Sequence, residues 1–446
     1  MRRCERTERR AFLKRSVSAA AAAVAAPRVI PGRVLGLAGA EGANEQIVVG
    51  IVGMGTRGRA LVSNIPANGR LAAICDADSR RTAEVLAEFR ASWKLYDDYR
   101  KMFEQKDLDA VIVCPCCHHH VHAGVLACQA GLDVYVEKPL SVYVAEGRTL
   151  VRAARKYKRV VQTGTQQRTM EMDRFACELV RDGGIGKVRV VECVNFAGSI
   201  PYPPAGLPEE PIPPGVNWDA WQGPAPVHPF NKLLFARRME KLGRYWWGLW
   251  RDYSNGESGQ VHSHGLDMVQ YALGADETGP VEYRLLEEGP AGRVDFRYAN
   301  GVEVHMNLAR GPATGAIFVG EKCKIEINRN KFTTNPPDFV TGGPDPELAK
   351  KWTGVLGGDS IARGHVQNWF DCIKSRKKPN ADVEVGHRTA TICNLIAIAR
   401  ELGQVGEPLR WDPAAERFTN SEEGNKLLDR PRRKGWQLPE LAGEVA

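Results

Sequence analysis

The sequence predicts an α/β fold in which a parallel, doubly wound sheet is followed by an α+β domain with a large, open and mostly antiparallel sheet. Between residues 47 and 165, strand-like and helix-like segments alternate, which is typical of a parallel sheet with helical crossovers. From residue 166 to residue 405, strand-like runs follow one another with little helix between them. About 400 residues follow residue 46, which is enough for these two domains.

Apolar periodicity and turn residues give the order of the elements. In the first domain we predict strand 47–53, helix 57–64, strand 71–76, helix 79–91, helix 97–105, strand 109–113, helix 122–130, strand 133–137, helix 145–157 and strand 160–164. In the second domain we predict strands 188–196, 281–285, 294–298, 302–308, 316–319 and 323–327, then a late helix 387–403. Residues 200–229 are predicted to be loop, and residues 406–446 a less regular arm that reaches a neighbouring subunit.

The first strand runs directly into the glycine motif Gly53-x-Gly55-x-x-Gly58. In a dinucleotide-binding domain of the Rossmann type, the first glycine permits the tight turn and the second lets a pyrophosphate approach the backbone. The third lets the following helix pack close to the strand. Because a strand precedes this motif and a helix follows it, the motif predicts a nicotinamide-nucleotide site.

The second strand ends at Asp76. A carboxylate at this position accepts a hydrogen bond from a ribose 2′-hydroxyl and repels a 2′-phosphate. The sequence therefore predicts NAD as the cofactor. Arg80 and Arg81 follow closely, and they keep NADP open as the alternative.

Residues 1–40 have the pattern of a twin-arginine export signal. Arg9 and Arg10 precede an apolar stretch at 17–26, and the small residues at 38–40 offer a cleavage site. An apolar run of about ten residues is too short to span a bilayer, which needs about twenty. We therefore expect an exported, periplasmic protein that uses the twin-arginine export machinery and has no integral membrane segment.

The positive charge of the chain is concentrated in this leader. The whole chain has a net charge of +8, and residues 1–40 contain nine Lys or Arg and two Asp or Glu, a net +7. Removing the leader leaves a mature protein near +1, so the basic composition gives no support for nucleic-acid binding.

The chain resembles the Gfo/Idh/MocA family, whose members include glucose–fructose oxidoreductase and inositol 2-dehydrogenase. The resemblance covers residues 47–405, and its motifs are Glu137-Lys138-Pro139, residues 162–168, residues 184–188 and residues 264–267 followed by 273–274. The aromatic-rich segments 217–226 and 245–252 look most like the exported, planctomycete-type branch. The resemblance also implies that the late helix packs back on the first domain. We expect a homo-oligomer formed through the sheet of the second domain.

The resemblance implies that Lys138 and His264 are catalytic. An ammonium group at the carboxyl end of the sheet donates to a substrate hydroxyl and stabilises the alkoxide that forms there. An imidazole titrates near neutrality, so it takes and returns the proton of a carbinol. The family has an Asp four positions before this histidine, but here Gln260 replaces it and cannot exchange protons. Either His262 compensates or it is only a loop residue.

The remaining site residues follow from the motifs and the resemblance. Asp267 lies three positions after His264, on the same face of one helix. The predicted substrate-binding residues are Asp267, Gln260, His262, Arg168 and Trp250. The predicted cofactor-binding residues are Gly53, Met54, Gly55, Arg57, Gly58, Asp76, Cys114, His118, His120, Glu137, Lys138 and Gln166.

Residues 114–122 contain three cysteines and four histidines. Such a run suggests zinc, but it lacks a pair of cysteines with a distant partner pair, and one strand-to-helix turn aims only some of these side chains at one point. We therefore predict no metal site. We expect the segment to line the cofactor pocket, with His118 or His120 near the substrate.

The sequence predicts an NAD-dependent oxidoreductase that acts on a hydroxyl of a sugar, polyol or glycoside. Two alternatives stay open, a closed redox cycle with unreleased cofactor that cleaves a glycoside, and a nucleotide-bound sugar-binding protein without turnover. A periplasmic location has no free nicotinamide pool, so we expect a tightly bound cofactor. Trp218, Trp221 and the aromatic residues at 245–250 either stack on sugar rings or pack loops and subunit interfaces.

Overall fold

The carboxyl ends of a six-stranded parallel sheet form the floor of the site. The computed structural model describes residues 46–235, 247–340, 342–344 and 359–441. The predicted leader, Tyr245 and Trp246 lie outside these residues. The strands of the first sheet are β1 (Ile47–Val52), β2 (Gly69–Cys75), β3 (Lys94–Tyr96), β4 (Ala110–Val113), β5 (Asp133–Val136) and β6 (Val161–Thr163). Their order is β3-β2-β1-β4-β5-β6 and every pair is parallel, so the predicted doubly wound sheet is confirmed.

Helices follow these strands as expected of βαβ units. They are α1 (Thr56–Val62), α2 (Ser79–Glu88), α3 (Tyr99–Met102), α4 (His120–Gln129) and α5 (Val144–Lys156). A short 3-10 turn, Cys117–His119, precedes α4, and a second one, Gln166–Thr169, begins the chain's passage into the second domain.

The buried strands contribute side chains to both faces of the sheet. In β4, Ala110 and Ile112 belong to one apolar cluster, whereas Val111 and Val113 belong to another. Successive side chains of a strand point to opposite faces, so a fully buried strand is apolar at every position. The continuous apolar runs in the sequence follow from this geometry.

The second domain contains a nine-stranded sheet. Its strands are β7 (Val188–Val194), β8 (Glu282–Leu285), β9 (Val294–Arg297), β10 (Glu303–Leu308), β11 (Ala316–Gly320), β12 (Lys324–Ile327), β13 (Phe332–Asn335), β14 (Pro408–Asp412) and β15 (Arg417–Phe418). The order is β13-β12-β11-β7-β10-β9-β8-β14-β15, antiparallel throughout except where β7 pairs with β10. The mostly antiparallel sheet is therefore confirmed.

The helices of the second half are mostly short. They are α6 (Glu171–Arg181), α7 (Trp218–Gln222), α8 (Lys232–Phe235), α9 (Gly256–Gln260), α10 (Ser263–Ala272), α11 (Asp359–Ser375), α12 (Val383–Leu402) and α13 (Glu422–Lys426). The late helix α12 begins four residues earlier than predicted, because the Asp382 side chain accepts a hydrogen bond from the Glu384 backbone N–H and caps it. It packs against both α5 and β8, which places it between the two domains as expected.

The segment after residue 405 corrects the prediction of a separate arm. Strand β14 pairs with β8, and β15 ends the sheet, so the main chain of this segment completes the second domain. Farther along, Trp436 is buried against Tyr99 of the first domain at a ring distance of 6.0 Å. The described part of this segment therefore packs on its own chain. Within the described residues, the structure contains no helix with the length and apolarity that a membrane crossing requires.

Candidate active site

A cavity of about 550 Å³ lies at the carboxyl ends of the parallel strands, where open α/β sheets bind ligands. Residues from both domains line it, so the second domain covers this edge of the first sheet. The predicted site residues that line it are Gly53, Gly55, Arg57, Asp76, Cys114, His120, Glu137, Lys138, Gln166, Gln260 and His264.

The three glycines of the motif have the geometry that a dinucleotide requires. Gly53 has φ of +91°, and Gly58 lies so close to the Gly53 carbonyl that any side chain would collide with it. A Cβ added to Gly55 would instead meet no atom within 4 Å. Gly55 thus leaves open space above the loop, at the start of α1, where a pyrophosphate would lie against free backbone N–H groups.

Asp76 is held rigidly beside this loop. Its carboxylate accepts hydrogen bonds from the backbone N–H groups of Met54 at 2.7 Å and of Asp78 at 2.9 Å. Burial raises the pKa of Asp76. Its oxygens keep further lone pairs for a ribose hydroxyl. Met54 therefore contributes through its backbone, because its side chain lies in the core.

The two arginines after Asp76 differ in position. Arg80 is half exposed and pairs with Asp78 at 2.7 Å, outside the cavity lining. Arg81 lines the cavity, and its guanidinium donates to the Phe235 carbonyl at 3.2 Å and lies over the Phe235 ring. It thus ties the first domain to the insert, which is the described part of the segment between β7 and α9, over the site.

Glu137 is an orienting group at the end of β5. Its carboxylate pairs with Arg57 at 2.6 Å and accepts the backbone N–H of Lys138 at 3.1 Å. A Cβ on Gly164 would lie 2.8 Å from this carboxyl carbon, so a larger residue there would displace the Glu137 carboxylate from its present position. The pair fixes the loop that presents Lys138.

Lys138 lies between the two domains. Its ammonium donates to the backbone carbonyl of Gln260, and its peptide bond to Pro139 is cis. Burial lowers the pKa of Lys138, and the Glu137 carboxylate opposes that shift. A cation is thus placed in a partly dry cavity.

Helices α9 and α10 place Gln260 and His264 in the cavity lining. The Nδ1 atom of His264 is buried and has no hydrogen-bond partner among the described residues. Burial lowers the pKa of His264 well below its usual 6.5, and the cations of Lys138, Arg329 and Arg57 add to this. The ring is therefore neutral at physiological pH and is able to accept a proton.

His262 was predicted to bind substrate, and the structure corrects this. Its side chain is fully buried outside the cavity lining, with its ring 5.6 Å from that of Phe196. A difference of two positions along this segment turns the side chain away from the cavity that His264 lines. His262 therefore does not replace the carboxylate that Gln260 lacks.

Asp267 and Arg168 were also predicted to bind substrate, and this is wrong. Both are buried and bind each other, with Arg168 Nε 2.9 Å from each oxygen of Asp267. Arg168 further pairs with Asp276 at 2.8 Å, and Thr389 donates to Asp267 at 3.0 Å. Asp267 shares a helix with His264, but its side chain locks α10 against α12 and the 3-10 turn that contains Arg168.

Trp250 does not line the cavity either. It is buried in an aromatic cluster with Tyr202 and Tyr253, so it packs the insert. Trp218 stacks on Trp221 at 4.5 Å, and Trp221 in turn lines the cavity. For these aromatic residues, packing of loops is therefore the main role.

The histidine-rich segment is divided between the cavity and the core. His120 lines the cavity and donates from Nδ1 to the Pro139 carbonyl at 2.7 Å, as its predicted role requires. His118 does not line it, and its Nε2 donates to the Trp221 carbonyl at 3.0 Å. His119 takes the place predicted for His118 in the lining.

Burial raises the pKa of the thiols in this segment, and that of Cys117 to about 12. Cys114 donates to the Val52 carbonyl at 3.2 Å. Over residues 46–441, leaving out the undescribed segments, the structure shows no group of three or more His, Cys, Asp or Glu arranged to hold a metal ion.

Sequence reasoning missed the residues that reach the cavity from distant loops. They are Tyr99, Leu234, Phe235, Glu257, Thr314, Asn328 and Arg329, with Thr56, Asp97 and Asp98 near the glycine loop. The run Asn328-Arg329-Asn330 between two strand-like segments indicates a tight hairpin turn. No local pattern indicates that this turn faces the cavity.

Two family models match this chain. Residues 47–165 match the NAD-binding Rossmann fold of an oxidoreductase family, and residues 194–438 match the C-terminal α/β domain of the same family, Gfo/Idh/MocA. Inositol 2-dehydrogenase of Salmonella typhimurium is 32% identical over 154 residues, which are 34% of this chain and 46% of that protein. Myo-inositol 2-dehydrogenase of Thermotoga maritima is 27% identical over 149 residues, 33% of this chain and 44% of that protein. The aligned region thus spans about half the length of these curated relatives.

Solved structures are similar over most of the chain. An aldose-aldose oxidoreductase from Caulobacter crescentus has a TM-score of 0.54 and 16% identity, covering 82% of this chain and 99% of that one. A levoglucosan dehydrogenase in complex with NADH and levoglucosan has a TM-score of 0.56 and 18% identity, covering 82% and 99%. At such identities the likeness to solved structures shows the fold alone, and the two family models show which family the chain belongs to. The chain belongs to the Gfo/Idh/MocA oxidoreductase family, with its NAD-binding Rossmann domain and C-terminal α/β domain.

Proposed function

We propose that this protein is an NAD-dependent oxidoreductase that acts on a CH–OH group of a sugar, polyol or glycoside. The observation that carries the proposal is the single cavity in which the glycine loop, Asp76, Lys138 and His264 meet. The family supplies the NAD-binding domain. Relatives named as inositol and levoglucosan dehydrogenases support a carbohydrate substrate.

The residues present fit a nicotinamide dinucleotide. The open space above Gly55, the anchored carboxylate of Asp76 and the carboxamide of Gln166 all face the cavity. The Oε1 atom of Gln166 is buried and has no hydrogen-bond partner among the described residues, so it is available to a ligand amide. When bound there, NAD would supply the electrophilic ring that accepts a hydride from the substrate carbon.

Lys138 and His264 would manage the hydroxyl of that carbon. The Nζ atom of Lys138 donates to the hydroxyl oxygen and stabilises the negative charge that grows on it. The neutral imidazole of His264 takes the hydroxyl proton, so a carbonyl forms as the C–H bond breaks. Gln260 positions Lys138 through its backbone carbonyl, which is a role that needs no carboxylate.

Replacing His264 with alanine tests the proton step. We expect kcat/KM to fall by about a hundredfold to ten-thousandfold, the usual range for a general acid or base. Because the pKa of His264 lies below 6.5, the acidic limb of the pH profile should also lie below pH 6.5. That limb should disappear in the variant, as measured by steady-state kinetics across pH.

His262→Ala is the matched control. Its ring packs outside the cavity, so we expect kcat/KM close to that of the wild type wherever the variant is folded. A severe loss with His262→Ala and none with His264→Ala would reverse the assignment.

A second candidate is a closed redox cycle in which the cofactor is not released. It is favoured by the insert that lies over the site, where Trp221, Leu234 and Phe235 line the cavity. Arg81 fastens Phe235, and Asn217 donates to Asp97 at 3.0 Å, so the insert is tied to the first domain on two sides. An enclosed cofactor would be tightly bound and reoxidised in place.

A sugar and glycoside panel separates these functions. Purified protein loaded with NAD is mixed with each compound while the absorbance of reduced nicotinamide is followed, and free nucleotide is then removed by filtration. Reduced cofactor in the filtrate indicates a dehydrogenase. Cleaved glycoside without net accumulation of reduced cofactor, and with the nucleotide kept on the protein, indicates the closed cycle, because the cofactor is reoxidised in each turnover. Sugar binding with neither reduction nor glycoside cleavage would contradict both and support a binding protein.

We further propose that the protein is exported through the twin-arginine pathway, on the evidence of Arg9, Arg10 and the apolar stretch that follows. Its similarity to an exported, planctomycete-type branch of the family belongs to the same proposal. Cell fractionation of an Arg9→Lys, Arg10→Lys variant should show precursor in the cytoplasm, and unchanged periplasmic protein would contradict the pathway. The expected homo-oligomer also stays a prediction, which sedimentation of the purified protein would test.

A further inference from the structure

Residues 433–436, the C-terminal clasp, hold one helix of the insert, α7, against the first domain. The Arg433 guanidinium donates to the backbone carbonyls of Asp219 and Gly223 and to the Asp219 carboxylate. That carboxylate is 65% exposed, so the ion pair by itself stabilises the contact little. The two carbonyls, one within α7 and one directly after its end, make the contact specific for the position of this helix.

Trp436 anchors the other end of the clasp on the first domain. Its buried ring lies 6.0 Å from the ring of Tyr99 and 6.1 Å from that of His119, measured between centroids. The guanidinium groups of Arg100 and Arg433 lie over the indole, 4.0 Å and 5.3 Å from its centroid. A cation over the face of an indole is attracted to it. Trp436 therefore holds Arg433 in the place from which it binds α7.

The residues that the clasp contacts support one wall of the cavity. Tyr99, His119 and Trp221 all line it, and His119 donates from Nε2 to the Trp221 carbonyl at 2.7 Å. A Cβ added to Gly223 would collide with the His119 ring, so the end of α7 is in direct contact with this histidine. Burial lowers the pKa of His119 to about 4, so the ring is neutral at physiological pH. The position of this wall thus depends on how α7 is held.

The same wall lies beside Asp76. The Asp76 N–H donates to the Tyr96 carbonyl at 3.1 Å, and Asp97 and Tyr99, which follow that residue, line the cavity. Helix α7 begins at the same place, because its cap residue Asn217 donates to Asp97 at 3.0 Å. In a dinucleotide-binding domain, the carboxylate at the position of Asp76 binds the ribose of the adenosine. The wall therefore belongs to the adenosine half of the pocket and not to the half in which the hydride is transferred.

We propose that Arg433 and Trp436 are positioning residues for the adenosine half of bound NAD, and that the clasp slows the release of the cofactor. The inference rests on the proposed function, because that function places NAD in this cavity. Neither side chain lines the cavity, so both act through α7 and the rings of Tyr99 and His119. While α7 is held against the first domain, its movement becomes a step in the departure of the dinucleotide. Slow release of this kind suits a cofactor that is reoxidised in place.

The rate of cofactor release tests the clasp without any substrate. Full-length protein is loaded with NADH and mixed with excess NAD, and the change in nucleotide fluorescence gives the dissociation rate. Arg433→Ala should release NADH at least about tenfold faster, the scale expected when hydrogen bonds from a charged donor are lost. Arg433→Lys keeps the charge without the planar fork and should be intermediate. The matched control is Lys434→Ala, which removes the exposed cation next to it and should release NADH like the wild type.

Cofactor fragments assign the effect to one half of the pocket. ADP-ribose contains the adenosine half of NAD, and nicotinamide mononucleotide contains the other half. In calorimetric titrations, Arg433→Ala should weaken the binding of ADP-ribose at least about tenfold and leave that of nicotinamide mononucleotide unchanged. Trp436→Ala should have the same effect where it folds, and Arg433→Ala decides the test where it does not. Equal losses for both fragments would indicate a general disturbance of the fold and would overturn the positioning role.

The remaining outcomes separate this inference from the proposed function. Wild-type release of NADH from Arg433→Ala, together with unchanged affinity for ADP-ribose, would overturn the clasp while the NAD site stands. Wild-type protein that binds neither NADH nor ADP-ribose would contradict the proposed function, and the inference would fall with it.

Discussion

Replacing Lys138 with alanine is expected to lower kcat by about a hundredfold to a thousandfold, the usual cost of removing one preorganised donor from a site of developing negative charge. The ammonium is oriented by the Gln260 carbonyl and by the loop that Glu137 fixes, so no other described cation takes the same position. Burial lowers the pKa of Lys138 below 10.5, so the wild-type enzyme should lose activity on the basic side below pH 10.5. Steady-state kinetics across pH would show both effects.

Two variants control for indirect effects. Lys187→Ala removes an exposed lysine outside the cavity lining and should leave kcat unchanged. Lys138→Arg keeps the charge but alters the donor geometry, and we expect an intermediate rate. Wild-type turnover in Lys138→Ala would remove Lys138 from the catalytic residues.

Replacing Asp267 with alanine is expected to lower the free energy of unfolding by about 3–5 kcal/mol, because it leaves the buried guanidinium of Arg168 without its main partner. Both oxygens of Asp267 bind Arg168 Nε, and Thr389 completes the network. The side chain does not line the cavity, so KM should change little at temperatures where the variant is folded. Denaturant titration, followed by kinetics well below the melting temperature, measures both quantities.

Asp276→Ala is the control within the same network. Its side chain is 37% exposed, so its loss should cost about 1 kcal/mol or less. Normal stability of Asp267→Ala together with weak substrate binding would restore the original prediction that Asp267 binds substrate.

The parts of the site that the sequence predicts correctly are those fixed by short-range geometry. A glycine motif between a strand and a helix determines its own loop, and a residue at the end of a parallel strand, such as Asp76 or Lys138, reaches the binding edge of the sheet. His264 follows from the resemblance. These positions depend little on how distant segments pack.

The errors concern side chains whose direction depends on distant partners. Asp267 shares a helix face with His264, but Arg168 from a separate turn draws its carboxylate into the core. In the histidine-rich segment, His119 and not His118 lines the cavity, although the Trp221 carbonyl of the insert binds both rings. Arg329 was missed because only the tertiary fold brings its hairpin to the cavity. No local periodicity encodes these contacts.

The fold was predicted where apolar runs are long. Strand β3 is three residues long at the sheet edge, with Leu95 exposed, so it lacks an apolar signal. Strands β14 and β15 are short, and they are recognised only by their pairing with β8 and with each other. The start of α12 depends on a cap by Asp382, which a periodicity search does not detect.

The central claim is that the cavity above Gly55 and Asp76 holds NAD. Purified full-length protein, denatured and analysed by mass spectrometry, should release about one NAD per chain, or bind NAD stoichiometrically when it is added back. The variant Asp76→Ala should lose affinity for NAD, because it removes the acceptor for the ribose hydroxyls. Protein that contains no nucleotide and shows no measurable affinity for NAD or NADP would contradict the account.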